Sequence, residues 1–189
     1  MSNEARIRRI ADGDWDGIVA MESRAYADLG LSEGRAALES RVRVSPTTCC
    51  ALDLGPRLAG YLLALPYPMF RYPDLDRTEK FAFPSRNLHL HDLVIAEGFR
   101  RRGLAQRLLH HLTTVARSHG YEQISLVAVA GSETFWSARG FAGHEGVVPP
   151  GSYGPGAVYM TRAVPGDRTG KPELTGALPR GSSSQKELG

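Results

Sequence analysis

The chain has 189 residues with 23 basic and 20 acidic side chains, which gives a formal net charge of +3, and 42% of its residues are hydrophobic. This length and composition fit a single globular domain with its own core and exclude a fibrous or wholly disordered chain. No apolar stretch reaches the roughly 20 residues of a membrane helix and the polar N-terminus lacks an apolar signal core, so we expect a cytoplasmic protein that spans no membrane.

The first half of the chain is predicted to form a short strand, two helices and a hairpin. Alternation over 7–10 indicates the strand, and apolar residues at helical spacing over 14–30 indicate the first helix. A second helix is expected over 32–45, before a proline. Two strand-like runs over 47–54 and 58–65 are joined by a Gly-Pro turn, which predicts a hairpin, and the two adjacent cysteines of the first run are expected to be buried.

The second half of the chain is predicted to be a long loop followed by alternating strands and helices. Residues 66–87 contain four prolines and five aromatic residues without a regular period, which is typical of a loop that shapes a site or runs over the surface. Strand, helix, strand, short helix and strand are then expected over 88–95, 104–119, 121–130, 132–139 and 157–164. This order predicts an α/β sheet with parallel central strands. The domain is expected to cover 1–164, and the polar tail over 165–189 to be disordered.

The turn before the 104–119 helix contains three arginines and a glycine, Arg100-Arg101-Arg102-Gly103. At such a position the first N–H groups of the helix have no partner and the helix dipole is positive, so the turn is a candidate cradle for a phosphate or pyrophosphate. It contains neither the Walker nor the dinucleotide-binding glycine pattern. A solvated basic helix start is the alternative that the residues alone leave open, and a net charge of +3 gives little support for nucleic-acid binding.

Two blocks of the sequence resemble the GNAT superfamily of N-acetyltransferases. The segment over 93–105, followed by Leu108 and Leu109, resembles the acyl-CoA-binding motif with its Arg/Gln-x-x-Gly-x-Gly/Ala core. The segment over 135–141 is similar to a second block that is commonly Phe-Tyr-x-x-x-Gly-Phe. The resemblance implies a three-layer α/β (α+β) fold, with a mixed sheet of about six to seven strands that contains a splayed parallel pair, and about four helices.

The same resemblance implies acetyl-CoA as the co-substrate and no metal. The pyrophosphate is expected on backbone N–H groups of the arginine turn, and the pantetheine arm between the splayed strands, with the N–H of Ile95 as the oxyanion donor. The residues that the resemblance places at the co-substrate are Leu93, Val94, Ile95, Arg100, Arg101, Arg102, Gly103, Leu104, Ala105, Gln106, Phe135 and Trp136.

A His-x-His pair, His89 and His91, precedes the acyl-CoA motif. Strand alternation predicts that both imidazoles lie on one face together with Leu93 and Ile95. The pair is similar to the one that serotonin (arylalkylamine) N-acetyltransferases carry in this strand, which implies that at least one histidine deprotonates the incoming ammonium. Histidine suits this role because its ordinary pKa of about 6.5 lets it accept a proton at neutral pH. The alternative is that one histidine only packs or orients the strand.

The sequence departs from the superfamily pattern at the proton donor for the leaving thiolate. Trp136 stands where a tyrosine is frequent, and an indole N–H can donate a hydrogen bond but is no proton source. Either the thiolate leaves unassisted, or the proton comes from water or from another tyrosine, for which the candidates are Tyr26, Tyr121, Tyr153 and Tyr159.

The amine acceptor is expected between the first helix pair and the long loop. Tyr26, Tyr67 and Phe70 are candidate substrate-binding residues, which would hold an aryl group or an amine cation, unless the loop is a lid packed on its own aromatic rings. Carboxylates that could partner a cationic substrate, or are ordinary surface charges, are Glu22, Asp74 and Asp76.

The leading hypothesis is therefore an acetyl-CoA-dependent N-acetyltransferase that acts on a primary amine of a small molecule. One alternative is an acyltransferase of the same fold with another donor, either a different acyl-CoA or an aminoacyl-tRNA, and only this alternative involves nucleic acid. A second alternative is a non-catalytic CoA-binding sensor, which the missing tyrosine favours. The sequence leaves a homodimer open.

Overall fold

The computed structural model describes residues 4–166. Seven strands form one sheet in the order β1-β2-β3-β4-β5-β7-β6, and four α-helices pack against it. The predicted mixed sheet of six to seven strands with four helices is confirmed, whereas all but the first two residues of the expected tail lie outside the described residues. The strands are β1 (Ala5–Arg8), β2 (Cys50–Leu54), β3 (Arg57–Pro66), β4 (Asn87–Ile95), β5 (Gln123–Ala128), β6 (Ala142–His144) and β7 (Val158–Ala163). The helices are α1 (Trp15–Tyr26), α2 (Arg35–Val44), α3 (Leu104–Ser118) and α4 (Glu133–Ser137).

Strands β1 to β4 form an antiparallel half of the sheet, and β5, β7 and β6 form a second antiparallel group. The two halves meet where β4 and β5 run parallel. That pairing covers three residue pairs and ends at His89 opposite Ser125. Beyond it the strands separate, which confirms the predicted splayed parallel pair and leaves a gap at the C-terminal end of β4.

The helices cover the two faces of the sheet and produce two separate apolar clusters. Helix α3 buries Leu108 and Leu112 against one face, where the apolar side chains of β4 and β5 complete the cluster. Helices α1 and α2 cover the other face, where Ile18 and Leu38 pack on Tyr61. Helices α1, α2 and α3 are each placed by a face of buried residues that they turn toward the sheet, whereas none of the five residues of α4 is buried. None of the helices within 4–166 has both the length and the apolar character needed to cross a membrane.

Strand β4 contains a bulge that the sequence pattern does not show. In the pairing with β3, Leu63 lies opposite Asp92 while Ala64 lies opposite Leu90, so His91 is an additional residue without a partner. An extra residue reverses the alternation of side chains beyond it. His89 and His91 therefore share the face covered by α1 and α2, as expected, but Leu93 and Ile95 belong to the cluster on the α3 face, and the prediction that all four share one face is wrong.

Two further differences concern short segments. Strand β6 was not expected, because three residues are too few for a periodic pattern. Helix α2 begins at Arg35 rather than at Ser32, so Ser32 and Glu33 lie in the loop before it. Their polar groups point instead at Glu22, which accepts hydrogen bonds from the Ser32 hydroxyl and from the Glu33 backbone N–H, both at 2.6 Å.

Candidate active site

A cavity of about 650 Å³ occupies the gap between the separated strands, and we call it the main cleft. One wall is formed by β4 from Leu90 to Ile95 and the other by β5 and the segment that follows it. Helix α3 closes one end with its N-terminus. A gap between two strands exposes backbone groups that a closed sheet would pair, so an extended ligand can bind here as an additional strand.

The backbone of β4 is oriented for such binding. The N–H of Ala96 donates to Ala59 in β3, and because alternate residues of an antiparallel ladder point to opposite sides, Leu93 and Ile95 direct their N–H and C=O groups into the main cleft. The carbonyl oxygen of Ile95 accepts a hydrogen bond of 3.2 Å from Nε of Arg100. The N–H of Ile95 is thus turned toward the main cleft, where the resemblance to the superfamily implies a thioester oxygen.

The turn that leads into α3 is shaped as an anion cradle. Arg101 and Gly103 have positive φ angles of 62° and 73°, and α3 starts directly after Gly103. Two such residues in one short turn, followed by the unpaired N–H groups of a first helical turn, present several donors to one anion. A Cβ atom added at Gly103 would meet nothing within 4 Å, so this glycine faces open space.

Most residues predicted to hold the co-substrate line the main cleft, and Arg102 does not. The guanidinium of Arg102 lies 5.7 Å from the centre of the Phe99 ring, and Arg57 lies 4.6 Å from the same ring. The predicted residues that line the cleft are Leu93, Val94, Ile95, Arg100, Arg101, Gly103, Leu104, Ala105, Gln106, Phe135 and Trp136.

Helix α4 and its C-terminal end form the far wall of the main cleft. The guanidinium of Arg139 lies 3.4 Å from the centre of the Phe135 ring, and its Nη1 donates to the Phe135 carbonyl at 2.7 Å. Trp136 packs edge-on against Phe135 and Phe141. Arg139 was not among the predicted site residues, because within the second block it stands at a position where the resemblance specifies no residue type.

A second, smaller cavity of about 40 Å³ adjoins the main cleft, and we call it the acidic cavity. The two share four lining residues, Tyr26, His91, Val127 and Val129. The acidic cavity is further lined by three carboxylates, Glu22, Glu33 and Asp92, and by Leu31, Leu75 and Tyr153. Its residues come from α1, β4, β5 and four loops.

His91 lies at the junction of the two cavities. Its side chain is 3% exposed, and its Nε2 forms a hydrogen bond with Oε1 of Glu33. Its Nδ1 is buried without a hydrogen-bond partner in the described part of the chain. With Nε2 donating to the carboxylate, Nδ1 carries a lone pair and can accept a proton from a group in the cavity. The β-bulge produces this position, since it adds His91 between two paired residues.

Glu33 is held by a buried arginine of α2. The guanidinium of Arg41, which is fully buried, pairs with Glu33 and, at 3.3 Å, with Glu79. It also donates to the carbonyl of Asp74 at 3.1 Å. Burial alone would raise the pKa of Glu33, but the neighbouring His91 and Arg41 lower it below its ordinary value. Glu33 therefore stays ionised, and the long loop after β3 is fixed to the site by the same guanidinium.

Glu22 and Asp92 have no cation as a partner within residues 4–166. They are 1% and 5% exposed. Glu22 accepts its hydrogen bonds from the Ser32 hydroxyl and a backbone N–H, and Asp92 accepts one of 2.8 Å from the Tyr61 hydroxyl. Burial raises the pKa of Glu22, and it raises the pKa of Asp92 to about 6. Because neither carboxylate has a cation as a partner, their ionised forms give the acidic cavity more negative charge than positive charge.

His89 lies in a different environment from His91, outside the lining of both cavities. Its Nδ1 is 3.0 Å from the Ser125 hydroxyl, which also accepts a hydrogen bond from Asn87, and its ring stacks on Tyr159. Burial lowers the pKa of His89 well below its ordinary value, so the ring is neutral. These contacts join β4 to β5 at their last registered pair, where His89 supports the sheet.

The predicted substrate-binding residues are not brought together. Tyr26 lines both cavities, but Tyr67 packs against Phe83 and near His89, and Phe70 lies against His144 and Tyr159. Neither Tyr67 nor Phe70 lines a cavity adjoining His91.

Among the other tyrosines named as proton donors, only Tyr153 lines one of the two cavities. Its hydroxyl donates to the Pro73 carbonyl at 2.6 Å. Tyr121 and Tyr159 lie outside the lining of both cavities. Tyr26 is therefore the one tyrosine of the described residues that reaches the main cleft.

Comparisons with known proteins agree with this architecture. A model of the acetyltransferase (GNAT) family matches residues 15–141, whereas no curated protein matches the sequence significantly. The loading GNATL domain of CurA from Lyngbya majuscula superimposes with a TM-score of 0.70 at 14% identity, over 86% of this chain and 98% of that chain. Ard1 from Thermoplasma volcanium gives a TM-score of 0.66 at 17% identity, over 85% and 97%.

A third structure contains a bound ligand. The PaiA N-acetyltransferase from Thermoplasma acidophilum, in complex with coenzyme A, gives a TM-score of 0.61 at 12% identity, over 85% of this chain and 99% of that chain. At these identities the likeness shows the fold alone. The local similarity of the His-x-His pair to serotonin N-acetyltransferases stays a prediction.

Proposed function

Since the match over residues 15–141 shows that this chain belongs to the acetyltransferase (GNAT) family, we propose that it is an acetyl-CoA-dependent N-acetyltransferase that acts on a primary amine of a small molecule. The observation that carries the proposal is the position of His91. It lies where the main cleft meets the acidic cavity, with one ring nitrogen on Glu33 and the other without a partner. A general base at the junction of two cavities fits a transfer between two substrates.

The main cleft fits a CoA thioester. Its volume of about 650 Å³, its open backbone on β4 and the cradle before α3 match a long ligand with an extended arm and a pyrophosphate. The backbone of Leu93 and Ile95 would hold the arm, and the N–H groups after Gly103, with Arg100 and Arg101, would hold the phosphates. Acetyl-CoA supplies, when bound, an activated acetyl group whose carbonyl carbon accepts a nucleophile.

His91 and Glu33 would prepare the amine. A protonated amine has no lone pair, so it must lose a proton before it can attack a carbonyl carbon. Nδ1 of His91 accepts that proton, and the ionised Glu33 at Nε2 stabilises the imidazolium that results. The N–H of Ile95 donates to the oxygen that becomes negative when the nitrogen–carbon bond forms. His89 takes no part in proton transfer in this scheme and acts as a positioning residue.

Tyr26 is the proposed proton source for the departing thiolate. It lines both cavities, whereas Trp136 has no acidic proton to give. Burial, together with Asp92, raises the pKa of Tyr26 well above its ordinary value, so its hydroxyl is protonated at neutral pH. When the carbon–sulfur bond breaks, the hydroxyl would give its proton to sulfur and regain one from solvent or from His91.

The experiment that tests the function is CoA release from acetyl-CoA with a panel of amines: phenylethylamine, linear alkylamines and diamines, amino acids, aminoglycosides and a peptide. The proposal requires turnover with at least one small amine, together with a large loss of turnover in His91→Gln and Glu33→Gln. The exposed carboxylate of Asp28 provides the matched control, and Asp28→Asn should retain the wild-type rate. Binding of acetyl-CoA without turnover on any amine would overturn the proposal and favour another acyl donor or a sensor.

A further inference from the structure

The acidic cavity contains carboxylates whose negative charge a neutral amine cannot balance. Of its three carboxylates, Glu33 is paired with His91 and Arg41. Glu22 and Asp92 receive only neutral hydrogen-bond donors. Neutral donors leave the net charge in place, and a buried charge without a counter-charge is costly. The proton that His91 takes from the reacting amine balances at most one of these two charges, so a further cation is needed to balance the other.

A second observation, independent of the carboxylates, shows that the cavity is built for a ligand. Nδ1 of His91 is buried, has no hydrogen-bond partner in the described part of the chain, and belongs to a side chain that is 97% buried and lines the cavity. Buried polar atoms are nearly always paired, so this unpaired nitrogen, on a side chain that lines both cavities, indicates a ligand that supplies its partner.

The size and walls of the cavity restrict what that group can be. A water molecule needs roughly 10–15 Å³ of such space, so about 40 Å³ accommodates an ammonium with a short alkyl segment and excludes an aromatic ring. The remaining wall is largely apolar, formed by Leu31, Leu75, Val127 and Val129 together with Tyr26 and Tyr153. An apolar wall beside two carboxylates matches a methylene chain that ends in an amino group.

We propose that the acidic cavity binds the second, protonated amino group of a short linear diamine through Glu22 and Asp92, while the other amino group reacts at His91. This inference rests on the function proposed above and defines its substrate class. The amino group at His91 loses its proton and forms the bond to the acetyl carbon, and the group at the two carboxylates keeps its charge throughout.

The test compares three amines of one chain length: 1,3-diaminopropane, propylamine and 3-aminopropan-1-ol, which carries a neutral hydroxyl where the diamine has an ammonium. We expect wild-type kcat/KM to be about 100-fold higher for the diamine than for either control, as for other desolvated charge pairs. In Glu22→Gln and in Asp92→Asn this ratio should fall at least tenfold. Asp28→Asn, an exposed carboxylate change, should keep the wild-type ratio.

Two results would overturn the inference and leave the general function intact: equal kcat/KM for the diamine and propylamine, or a ratio that both substitutions leave unchanged. A calorimetric titration of the same amines into the wild-type protein with CoA provides a readout without turnover. If no amine is acetylated, tighter binding of the diamine still supports the cavity assignment, and equal or absent binding rejects it. If either variant fails to unfold cooperatively, the wild-type comparison of the three amines decides.

Discussion

The imidazole of His91 and the carboxylate of Glu33 form a hydrogen bond although 58 positions separate them in the sequence. One lies on a strand of the sheet and the other in the loop before α2. The contact fixes which ring nitrogen of His91 carries a proton, because the carboxylate accepts from Nε2 and leaves Nδ1 as the acceptor. The chemical capacity of the site therefore depends on a pair that only the folded chain brings together.

Replacing His91 with glutamine should lower kcat by about 100-fold or more, because the amide cannot accept a proton from the amine. The KM for acetyl-CoA should change little, since the main cleft keeps its backbone and its cradle. Steady-state CoA release at saturating amine, measured between pH 6 and 10, gives both values. If His91→Gln regains activity at high pH, where the free amine is abundant, the loss is one of proton transfer. A wild-type rate at neutral pH would exclude His91 as the base.

Alanine variants at two glycines distinguish a loss of CoA binding from a general effect of backbone strain. Gly103 and Gly120 both have positive φ angles, 73° and 75°, and an added Cβ meets no atom within 4 Å at either position. Substitution by alanine should therefore lower the free energy of unfolding by roughly 1–2 kcal/mol at either position. Only Gly103 lines the main cleft. Calorimetry with CoA should show weaker binding for Gly103→Ala and wild-type binding for Gly120→Ala, and equal affinities in the two variants would contradict the cradle.

Alanine at Gly60 should destabilise the fold beneath the main cleft. A Cβ there would lie 2.7 Å from both the Val94 carbonyl oxygen and Cδ1 of Ile95, and the carbonyl belongs to a paired strand that cannot yield easily. We expect a loss of about 1–3 kcal/mol in the free energy of unfolding, measured by urea denaturation. Gly13→Ala is the control, since its Cβ would meet nothing within 4 Å and its φ is not positive. Equal stabilities for the two variants would show that β4 can shift.

The buried carboxyl of Asp92 should make stability depend on pH. Burial raises its pKa from 3.8 to about 6, so between these values the native state holds a proton that the unfolded chain releases. Stability from this group is then highest below pH 4 and falls as pH rises toward 6, by about 3 kcal/mol in total. Asp92→Asn removes the titration and keeps an acceptor for Tyr61.

The stability of Asp92→Asn relative to the wild-type protein should therefore increase between pH 4 and pH 7. Thermal or urea unfolding at several pH values measures that difference. Glu33, Glu22 and Tyr26, whose pKa values are also shifted, are present in both proteins, so their contributions to this difference cancel to first order. A difference that stays constant across this range would show that Asp92 does not carry the raised pKa.

The sequence was sufficient for the order of the elements other than β6 and for the glycine turn before α3, because both depend on local patterns. Periodicity identifies strands and helices, and a glycine followed by a helix is visible in consecutive residues. The sequence was not sufficient to predict the acidic cavity. The bulge at His91 depends on how β4 pairs with β3, and strict alternation misplaced Leu93 and Ile95.

Arg41 and Glu33 are typical surface residues by type, and nothing in their neighbourhood along the chain predicts that they are buried together. Their burial results from three segments that meet over the sheet, which is a tertiary property. The homodimer and the compartment that the sequence suggested stay predictions.

The three residue pairs between β4 and β5 form a seam that joins two otherwise separate antiparallel sheets. The seam lies at one end of the main cleft, with the side chains of His89 and Ser125 bonded across its last pair. A small rotation of one sheet relative to the other about this seam would change the width of the cleft most at its far end. Hydrogen exchange at residues 123–125 would report how often the pairs of this seam open.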